Sequence, residues 1–118
     1  MKLKTKTTNP NYKKLIMTLW KSKRRAWREV VKWLNRPKRR RVSVNLNQIN
    51  RNTKENDLVV VPGKVLGLGE INHKLQSIAA YSFSESAKKK IMDKNIKLET
   101  IEELFMRNPE GKNIKIII

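Results

Sequence analysis

The sequence predicts an α/β fold with a basic helical segment on its N-terminal side. The first observation is charge: residues 1–54 contain 18 Lys and Arg residues and one acid, Glu29, whereas residues 55–118 contain 10 basic and 9 acidic residues. The second is periodicity: apolar residues recur at helical spacing before residue 36, and strand and helix patterns alternate after residue 42. The chain therefore combines a cationic helical half, with a net charge of +17, and a nearly neutral α/β half, with a net charge of +1.

The length and the composition limit the class of protein. A chain of 118 residues fits one domain. Hydrophobic residues form 38% of the chain and charged residues 32%, which favours a folded domain with a solvated or partner-bound basic part over a compact enzyme. The absence of Cys excludes disulfides and thiolate metal sites and favours an intracellular location.

No segment is predicted to cross a membrane or to act as a targeting peptide. The apolar run LIMTLW, residues 15–20, is too short for a bilayer span or for the core of a signal peptide. The first 28 residues lack acids, as mitochondrial targeting peptides do, but they are rich in Lys and the basic pattern continues past residue 40. We therefore expect no membrane-spanning segment.

The helical half is predicted from its apolar spacing. Residues 1–8, MKLKTKTT, carry no core pattern and are expected to form an extended basic tail. Asn9 and Pro10 are typical of a helix start, Ser22 could cap a second helix, and Pro37 ends the helical pattern. We expect residues 9–41 to form a helical hairpin, or one bent helix, whose apolar stripe consists of Tyr12, Leu15, Ile16, Leu19, Trp20, Ala26, Trp27, Val30, Val31, Trp33 and Leu34.

Residues 42–118 are predicted to form the compact α/β domain. A helix is expected after Ser84, and another after Thr100, which is placed to form a capping box with Glu103. Apolar runs and alternating patterns predict strands at residues 42–50 (leading into a turn), 58–61, 74–84, 96–98 and 113–118.

The stretch VVVPGKVLGLGE, residues 59–70, holds three of the four glycines and invites comparison with nucleotide-binding loops. A P-loop would need a glycine at position 58 and a hydroxyl at position 65, which are Leu58 and Val65. The third glycine of the dinucleotide fingerprint is also missing. We interpret the stretch as a structural turn that exposes Lys64 and Lys74 on one side.

The residue types of common active sites do not form a recognisable set. His73 is the only histidine, which we interpret as a hydrogen-bonding surface group. The alternating serines of residues 82–86 lack a nucleophile elbow and fit capping or strand-edge roles. Glu102 and Glu103 point in different directions on a helix. We expect no enzyme activity, cofactor, metal or small-molecule substrate.

Three tryptophans, Trp20, Trp27 and Trp33, lie within the basic half. Aromatic rings of this kind can stack on unpaired RNA bases. They can also bury a large area in a core. Their helical spacing with neighbouring aliphatic residues favours core packing for all three.

The charge of the first half predicts a polyanionic partner. A segment with a net charge of +17 repels itself unless anions lie against it. Nucleic acid, an anionic membrane and an acidic protein are all compatible with the charge alone.

Long runs of the sequence resemble one known family. The runs VNLNQINRNT, DLVVVPGKVLGLGEINHKLQSIAAYSFSESAKKKI and NPEGKNIKII are similar to those of the archaeal and eukaryotic large-subunit ribosomal protein eighteen, a family grouped with bacterial large-subunit protein fifteen. The opening TTNPNYKKLIMTLWKSKRRAWREVVKWLNRP resembles the N-terminal segment of that family. The short length and brief termini are similar to those of archaeal members.

The resemblance implies a fold, a location and a set of partners. The fold would be an irregular superhelix of β-β-α units, preceded by the basic helical segment and the short extended tail. The protein would be a non-catalytic structural constituent of the large ribosomal subunit in the cytoplasm, present in one copy per ribosome and not as a homo-oligomer. Its partners would be large-subunit ribosomal RNA (rRNA) and neighbouring large-subunit ribosomal proteins, and we expect no membrane partner.

With rRNA as the partner, we expect contacts to the phosphate backbone and recognition of RNA shape, because A-form helices hide their base edges. A DNA-compacting basic protein is the alternative that the charge also permits. The candidate rRNA-binding residues are Lys2, Lys4, Lys6, Lys13, Lys14, Lys21, Lys23, Arg24, Arg25, Arg28, Lys32, Arg36, Lys38, Arg39, Arg40, Arg41 and Arg51, followed by Lys64 and Lys74.

Overall fold

The computed structural model describes residues 10–36 and 40–118. The helices in these residues are α1 (Pro10–Lys21), α2 (Arg25–Leu34), α3 (Leu46–Asn52), α4 (Glu85–Asp93) and α5 (Ile101–Arg107). The strands are β1 (Val42–Asn45), β2 (Leu58–Leu66), β3 (Ser77–Phe83), β4 (Leu98–Thr100) and β5 (Ile114–Ile116). The predicted α/β class, with helices ahead of the sheet, is confirmed. The predicted tail, residues 1–8, lies outside the described residues.

All five strands pair in parallel in one sheet, in the order β1-β2-β3-β4. The short strand β5 pairs with Leu58–Val60 of β2, while β1 pairs with Gly63–Leu66, so these two strands share one side of β2. Helices connect β1 to β2, β3 to β4 and β4 to β5, as parallel pairing requires. The loop of residues 67–76 joins β2 to β3, so that β2, β3 and α4 follow one another in the expected strand–strand–helix order.

The sheet is covered by helices on both faces and therefore has two cores. On β2, Leu58 and Val60 contribute to the core that contains the buried residues of α1, α2 and α5. The residues between and after them, Val59, Val61 and Val65, belong to the core beneath α3 and α4. This explains why the strand is almost continuously apolar, since a strand buried on both faces has no solvated side. We refer to the two sides of the sheet as the α1/α2 face and the α3/α4 face.

Trp27 joins the N-terminal helices to the end of the chain. Its side chain is fully buried, at 0% exposure, and its indole ring meets the ring of Phe105 edge to face, with centroids 5.4 Å apart. The indole nitrogen donates a hydrogen bond to the carbonyl oxygen of Asn108 at 3.1 Å. Gly111, with a positive φ of 67°, lies so close to α2 that a Cβ atom there would stand 2.8 Å from the Cβ atom of Ala26. The residues of α1 and α2 thus share a core with the sheet, across the predicted boundary after residue 41.

Two local predictions were wrong. The expected strand of residues 42–50 ends at Asn45, and α3 begins at Leu46, because the backbone nitrogen of Asn45 donates to the side chain of Gln48 at 2.9 Å in a helix-starting cap. Ser22 does not cap α2. Its hydroxyl donates to the carbonyl oxygen of Leu19, and Lys23 turns the chain with a φ of 59°.

Other predicted helix ends were confirmed. The helix α1 begins at Pro10, the first helical position expected. The hydroxyl of Ser84 accepts a hydrogen bond from the nitrogen of Ala87 at the start of α4. Thr100 and Glu103 exchange the two hydrogen bonds of a capping box at the start of α5, each 3.0 Å long.

An ion pair with a buried carboxylate fastens α5 to the sheet. The carboxylate of Glu99 in β4 is 2% exposed and accepts hydrogen bonds from the guanidinium of Arg107, which also donates to the hydroxyl of Ser77. Burial by itself would raise the pKa of Glu99, but the hydrogen bonds from Arg107 and Ser77 and the charge of Arg107 outweigh burial and lower the pKa. The ionised form of Glu99 is therefore the form that the fold stabilises.

Candidate nucleic-acid interface

The outer side of α1 and α2 carries a band of exposed cations. Each helix turns its apolar stripe toward the sheet, which leaves the polar side in solvent. Glu29 is the acid on this side and lies 4.0 Å from the ammonium of Lys32, in an exposed pair of the kind that contributes little. The exposed cations of α1, α2 and their junction, which we call the cationic band, are Lys13, Lys14, Lys21, Lys23, Arg24, Arg25 and Lys32.

The junction between α1 and α2 is concave. A shallow cleft with a volume of ≈ 530 Å³ is lined by Lys23, Arg25, Arg28 and Glu29. Three cations and one acid leave this cleft with positive charge. A phosphate group can therefore be held from more than one side there.

Three further arginines are stacked on aromatic rings. The guanidinium carbon of Arg28 lies 4.0 Å from the ring centroid of Trp20, and Arg28 also donates to the carbonyl oxygen of Trp20 at 3.4 Å. The guanidinium of Arg36 lies 4.3 Å from the ring centroid of Trp33. Such stacking is worth about 0.5–1 kcal/mol at exposed sites and fixes the plane of the guanidinium.

The third stack connects α1 to β1. The guanidinium of Arg41 lies 3.9 Å from the ring centroid of Tyr12, and the Tyr12 ring in turn contacts the ring of Tyr81 with centroids 3.8 Å apart. Burial raises the pKa of Tyr12, although the charge of Arg41 opposes the shift, so this ring stays neutral at ordinary pH. In all three contacts the guanidinium carbon lies over an aromatic ring. Guanidinium groups are well suited to binding phosphate because they carry several N–H donors.

Sequence patterns did not predict these aromatic partners. Trp33 and Arg36 are three residues apart at the end of α2, a spacing that brings side chains together and could have predicted the pair. Tyr12 and Arg41 meet only because α1 packs against the sheet beside β1. No local pattern could have predicted that contact.

The remaining candidate residues are spread over the molecule. Arg40 is exposed, and Arg51 lies exposed on α3, which packs on the α3/α4 face, away from the cationic band. The expectation that Lys64 and Lys74 are exposed on one side was wrong. Lys64 lies near the end of β2, whereas the carbonyl oxygen of Lys74 accepts a hydrogen bond from Asn56, just before β2 begins. The candidates outside the described residues are Lys2, Lys4, Lys6, Lys38 and Arg39.

The three tryptophans have different environments. Trp27 is fully buried, and Trp20 is partly buried against the core of the α1/α2 face, as predicted. Trp33 differs from the prediction because it belongs to neither core of the described residues and is partly exposed. Its ring lies where α2 ends and supports the guanidinium of Arg36.

The interpretation of the glycine-rich stretch as a structural turn holds only for its last part. The strand expected at residues 58–61 continues through Pro62 and Gly63 to Leu66, and residues 67–70 form the start of the loop. The ammonium of Lys90 donates to the carbonyl oxygens of Gly67 and Gly69, at 2.9 and 3.1 Å. Carbonyl oxygens that converge on a cation have the wrong polarity for a phosphate cradle, which needs converging amide groups. The cavity beside the turn has a volume of ≈ 80 Å³ and includes Ile71 in its lining, which is too small for a nucleotide.

The single histidine has a structural partner. Its Nε2 atom lies 2.8 Å from the hydroxyl of Thr53, which itself donates to the carbonyl oxygen of Ile49. Since the Thr53 proton is already used, His73 supplies the proton of this contact, and the pair ties the 67–76 loop to the end of α3. Within residues 10–36 and 40–118, no group of three or more potential ligands could hold a metal ion. None of the helices described is long and apolar enough to span a membrane.

Comparison with known proteins identifies the family. The chain is 43% identical over 114 residues to large ribosomal subunit protein eL18 of Methanothermobacter thermautotrophicus, with 93% of each chain covered. It is 39% identical over 117 residues to the eL18 protein of Sulfurisphaera tokodaii, with 99% of this chain and 98% of the relative covered. The chain belongs to the eL18 family. The eL18 protein of Methanococcus maripaludis is 40% identical over 118 residues.

No family model matches the chain, so the family rests on these full-length similarities. These similarities confirm the family resemblance that the sequence runs indicated. The alignments with the eL18 relatives include the cationic helices as well as the sheet, because they extend over nearly the whole length of the chain.

Proposed function

We propose that this chain is a structural constituent of the large ribosomal subunit, located in the cytoplasm, that binds folded large-subunit rRNA through the phosphate backbone. The observation that carries the proposal is the cationic band on α1 and α2, held in place by the packing of these helices on the sheet. The names of the eL18 relatives, which are proteins of the large ribosomal subunit, support the same function.

The mechanism begins with preorganisation. Seven exposed cations project from two helices and their junction, and the other sides of the helices are buried, so the backbone positions are set before RNA arrives. The stacked arginines Arg28, Arg36 and Arg41 have less side-chain freedom to lose than free arginines. Binding therefore costs less ordering entropy than it would for a flexible basic tail.

Recognition depends on the arrangement of phosphates. The deep, narrow major groove of A-form RNA hides the base edges, whereas phosphates of several RNA segments can meet at one cationic surface. The protein neutralises phosphates that RNA folding brings together, and the nearly neutral sheet domain serves as the rigid frame. We infer no catalytic role, no cofactor and one copy per ribosome, with neighbouring ribosomal proteins as further partners.

Sedimentation of native lysate in a density gradient tests this function. The protein should travel with the large subunit at low salt and dissociate only at high salt. If about 6–10 phosphates are contacted, affinity for rRNA falls on the order of 10³–10⁵-fold between 50 and 200 mM salt. Protein found free at low salt contradicts the proposal, and equal affinity for duplex DNA and folded rRNA at matched salt favours a DNA-compacting protein instead.

A further inference from the structure

Lys64 interrupts an otherwise buried strand. The residues of β2 from Leu58 to Gly63 are all buried, as is Val65, but Lys64 between them is exposed. A charged side chain near the end of a central strand has no part in either core. Core packing therefore does not explain why a lysine occupies this position.

The strand pairing places a serine on each side of Lys64. In the sheet register, Lys64 is opposite Ser43 of β1 and opposite Ser82 of β3. Neighbouring strands are separated by about 4.8 Å, so the three Cα atoms lie in one row about 10 Å long. We call these residues the Ser43–Lys64–Ser82 row.

The row projects from the α1/α2 face. Val65 packs in the core of the α3/α4 face, and its register partners Val44 and Phe83 pack in or against the same core. Since successive residues of a strand alternate between the two faces, Ser43 and Lys64, which precede Val44 and Val65, face the other way. The register of β2 and β3 shifts between Val61 and Lys64, and β3 departs from alternation there, because Tyr81 packs against the core of the α1/α2 face and Phe83 against that of the α3/α4 face. Ser82, between these two residues, is placed on the side of Lys64 by its register with that residue. That is the face on which the cationic helices lie.

The polar groups of the row have no partners among the described residues. Among residues 10–36 and 40–118, the hydroxyls of Ser43 and Ser82 and the ammonium of Lys64 make no hydrogen bond or ion pair. Two hydroxyl groups on either side of an ammonium can donate hydrogen bonds to the oxygens of one phosphate group.

The backbone beneath the row is held tightly. A Cβ atom on Gly63 would stand 2.0 Å from the carbonyl oxygen of Val42. The strands β1 and β2 are therefore so close at this point that only glycine fits. A second cation lies beside the row: Arg41 comes two residues before Ser43 and is stacked on Tyr12, whose ring contacts that of Tyr81, next to Ser82. The row is therefore a fixed site next to further positive charge.

We propose that the Ser43–Lys64–Ser82 row binds one phosphate of the RNA backbone, with the Lys64 ammonium and the two serine hydroxyls as donors. The proposal rests on the function proposed above and extends it, because it adds the carboxyl end of the sheet to the RNA-binding surface. The ligand is a phosphodiester group, and the site reads no base.

The first test uses the full-length, ¹⁵N-labelled protein and inorganic phosphate, so it does not depend on ribosomal function. Saturable shifts are expected in the amide signals of Ser43, Lys64 and Ser82, and Lys64→Gln should abolish them. Lys88 in α4, which is also exposed, serves as the comparison within the same protein. Equal and non-saturating shifts at Lys64 and Lys88 would overturn the proposal.

The second test measures binding of large-subunit rRNA as a function of salt. Lys64→Gln should weaken binding and reduce the salt slope by about one unit, and Lys64→Arg should restore the slope. A Ser43→Ala/Ser82→Ala double variant should weaken binding without changing the slope, because it removes no charge. If the wild type binds rRNA and all variants bind it equally well, the row does not bind an rRNA phosphate, and the proposed function is unaffected. If wild-type protein fails to bind rRNA, the proposed function fails, and the phosphate titration still decides whether the row binds phosphate.

Discussion

The indole nitrogen of Trp27 lies 3.1 Å from the carbonyl oxygen of Asn108, a residue 81 positions further along the chain. This hydrogen bond joins the middle of the cationic half to the turn that follows α5. Because the ring is also buried against Phe105, helix α2 cannot leave the sheet without exposing a large apolar surface and an unpaired donor. The position of the cationic band therefore depends on the stability of the core.

Replacing Trp27 should destabilise the free protein. We expect Trp27→Ala to lower the free energy of unfolding by about 3–5 kcal/mol, because it leaves a cavity in the core. Trp33→Ala, at a partly exposed site outside both cores, should cost less than about 1 kcal/mol. Chemical denaturation followed by circular dichroism measures both values. Equal effects of the two substitutions would show that the indole of Trp27 does not anchor α2.

Neutralising the cationic band should weaken the salt dependence of rRNA binding. In the triple variant Lys13→Gln, Lys14→Gln, Arg25→Gln, the slope of log affinity against log salt should fall by about two units, at about 0.7–0.9 for each phosphate that is no longer neutralised. The matched control replaces Lys88, Lys89 and Lys94, which are exposed on or just after α4, with Gln. It removes the same charge from another side of the molecule. An identical decrease of the slope in both variants would mean that net charge alone drives binding.

The Trp33 ring should contribute to rRNA affinity only, whereas the Arg36 charge should contribute to both the affinity and its salt dependence. Trp33→Ala keeps the charge but releases the guanidinium, so rRNA affinity should fall about two- to five-fold, from a stacking contribution of about 0.5–1 kcal/mol, at an unchanged salt slope. Arg36→Gln should lower the affinity and also reduce the slope by about one unit. Filter binding across a salt series gives both quantities. A reduced slope in Trp33→Ala would contradict a purely positioning role of the ring.

The ion pair between Glu99 and Arg107 should make the fold sensitive to acid. Since the fold lowers the pKa of Glu99, its stabilisation is fully present above the unfolded value of about 4.3 and is lost as the pH falls through the folded pKa. Glu99→Gln should therefore cost about 1–3 kcal/mol near neutral pH, a range reduced because Arg107 is 38% exposed, and less below about pH 4.

Urea denaturation at several pH values tests this dependence on acid. Glu110→Gln is the control, because the Glu110 carboxylate pairs with Lys112 at 3.0 Å on the surface and should contribute little. A difference between wild type and Glu99→Gln that stays constant with pH would exclude the ionised pair as its cause.

Patterns within one element predicted much of this structure. The helix starts at Pro10, Ser84 and Thr100 depend on neighbouring residues only and could be predicted from the sequence. The first part of β2, residues 58–61, was recognised from its apolar run because burial on both faces removes polar residues, whereas its continuation through Pro62 and Gly63 was predicted as a turn.

Features that depend on the path of the chain were not predictable. Lys64 and Lys74 are ten positions apart, but nothing in the sequence shows that the 67–76 loop returns to the opposite end of β2. The helix α3 was missed because an alternating start at residue 42 masked the cap at Asn45. The contact between Arg41 and Tyr12 exists only through the docking of α1 on the sheet.

A cryo-electron microscopy structure of the large subunit that contains this chain would show whether the cationic helices α1 and α2 lie against rRNA. We expect Lys13, Lys14 and Arg25 to lie within roughly 3.5 Å of rRNA phosphate oxygens, with the outer sides of α1 and α2 against RNA. Helices α1 and α2 turned toward bulk solvent, with rRNA only on the α3/α4 face, would contradict this expectation.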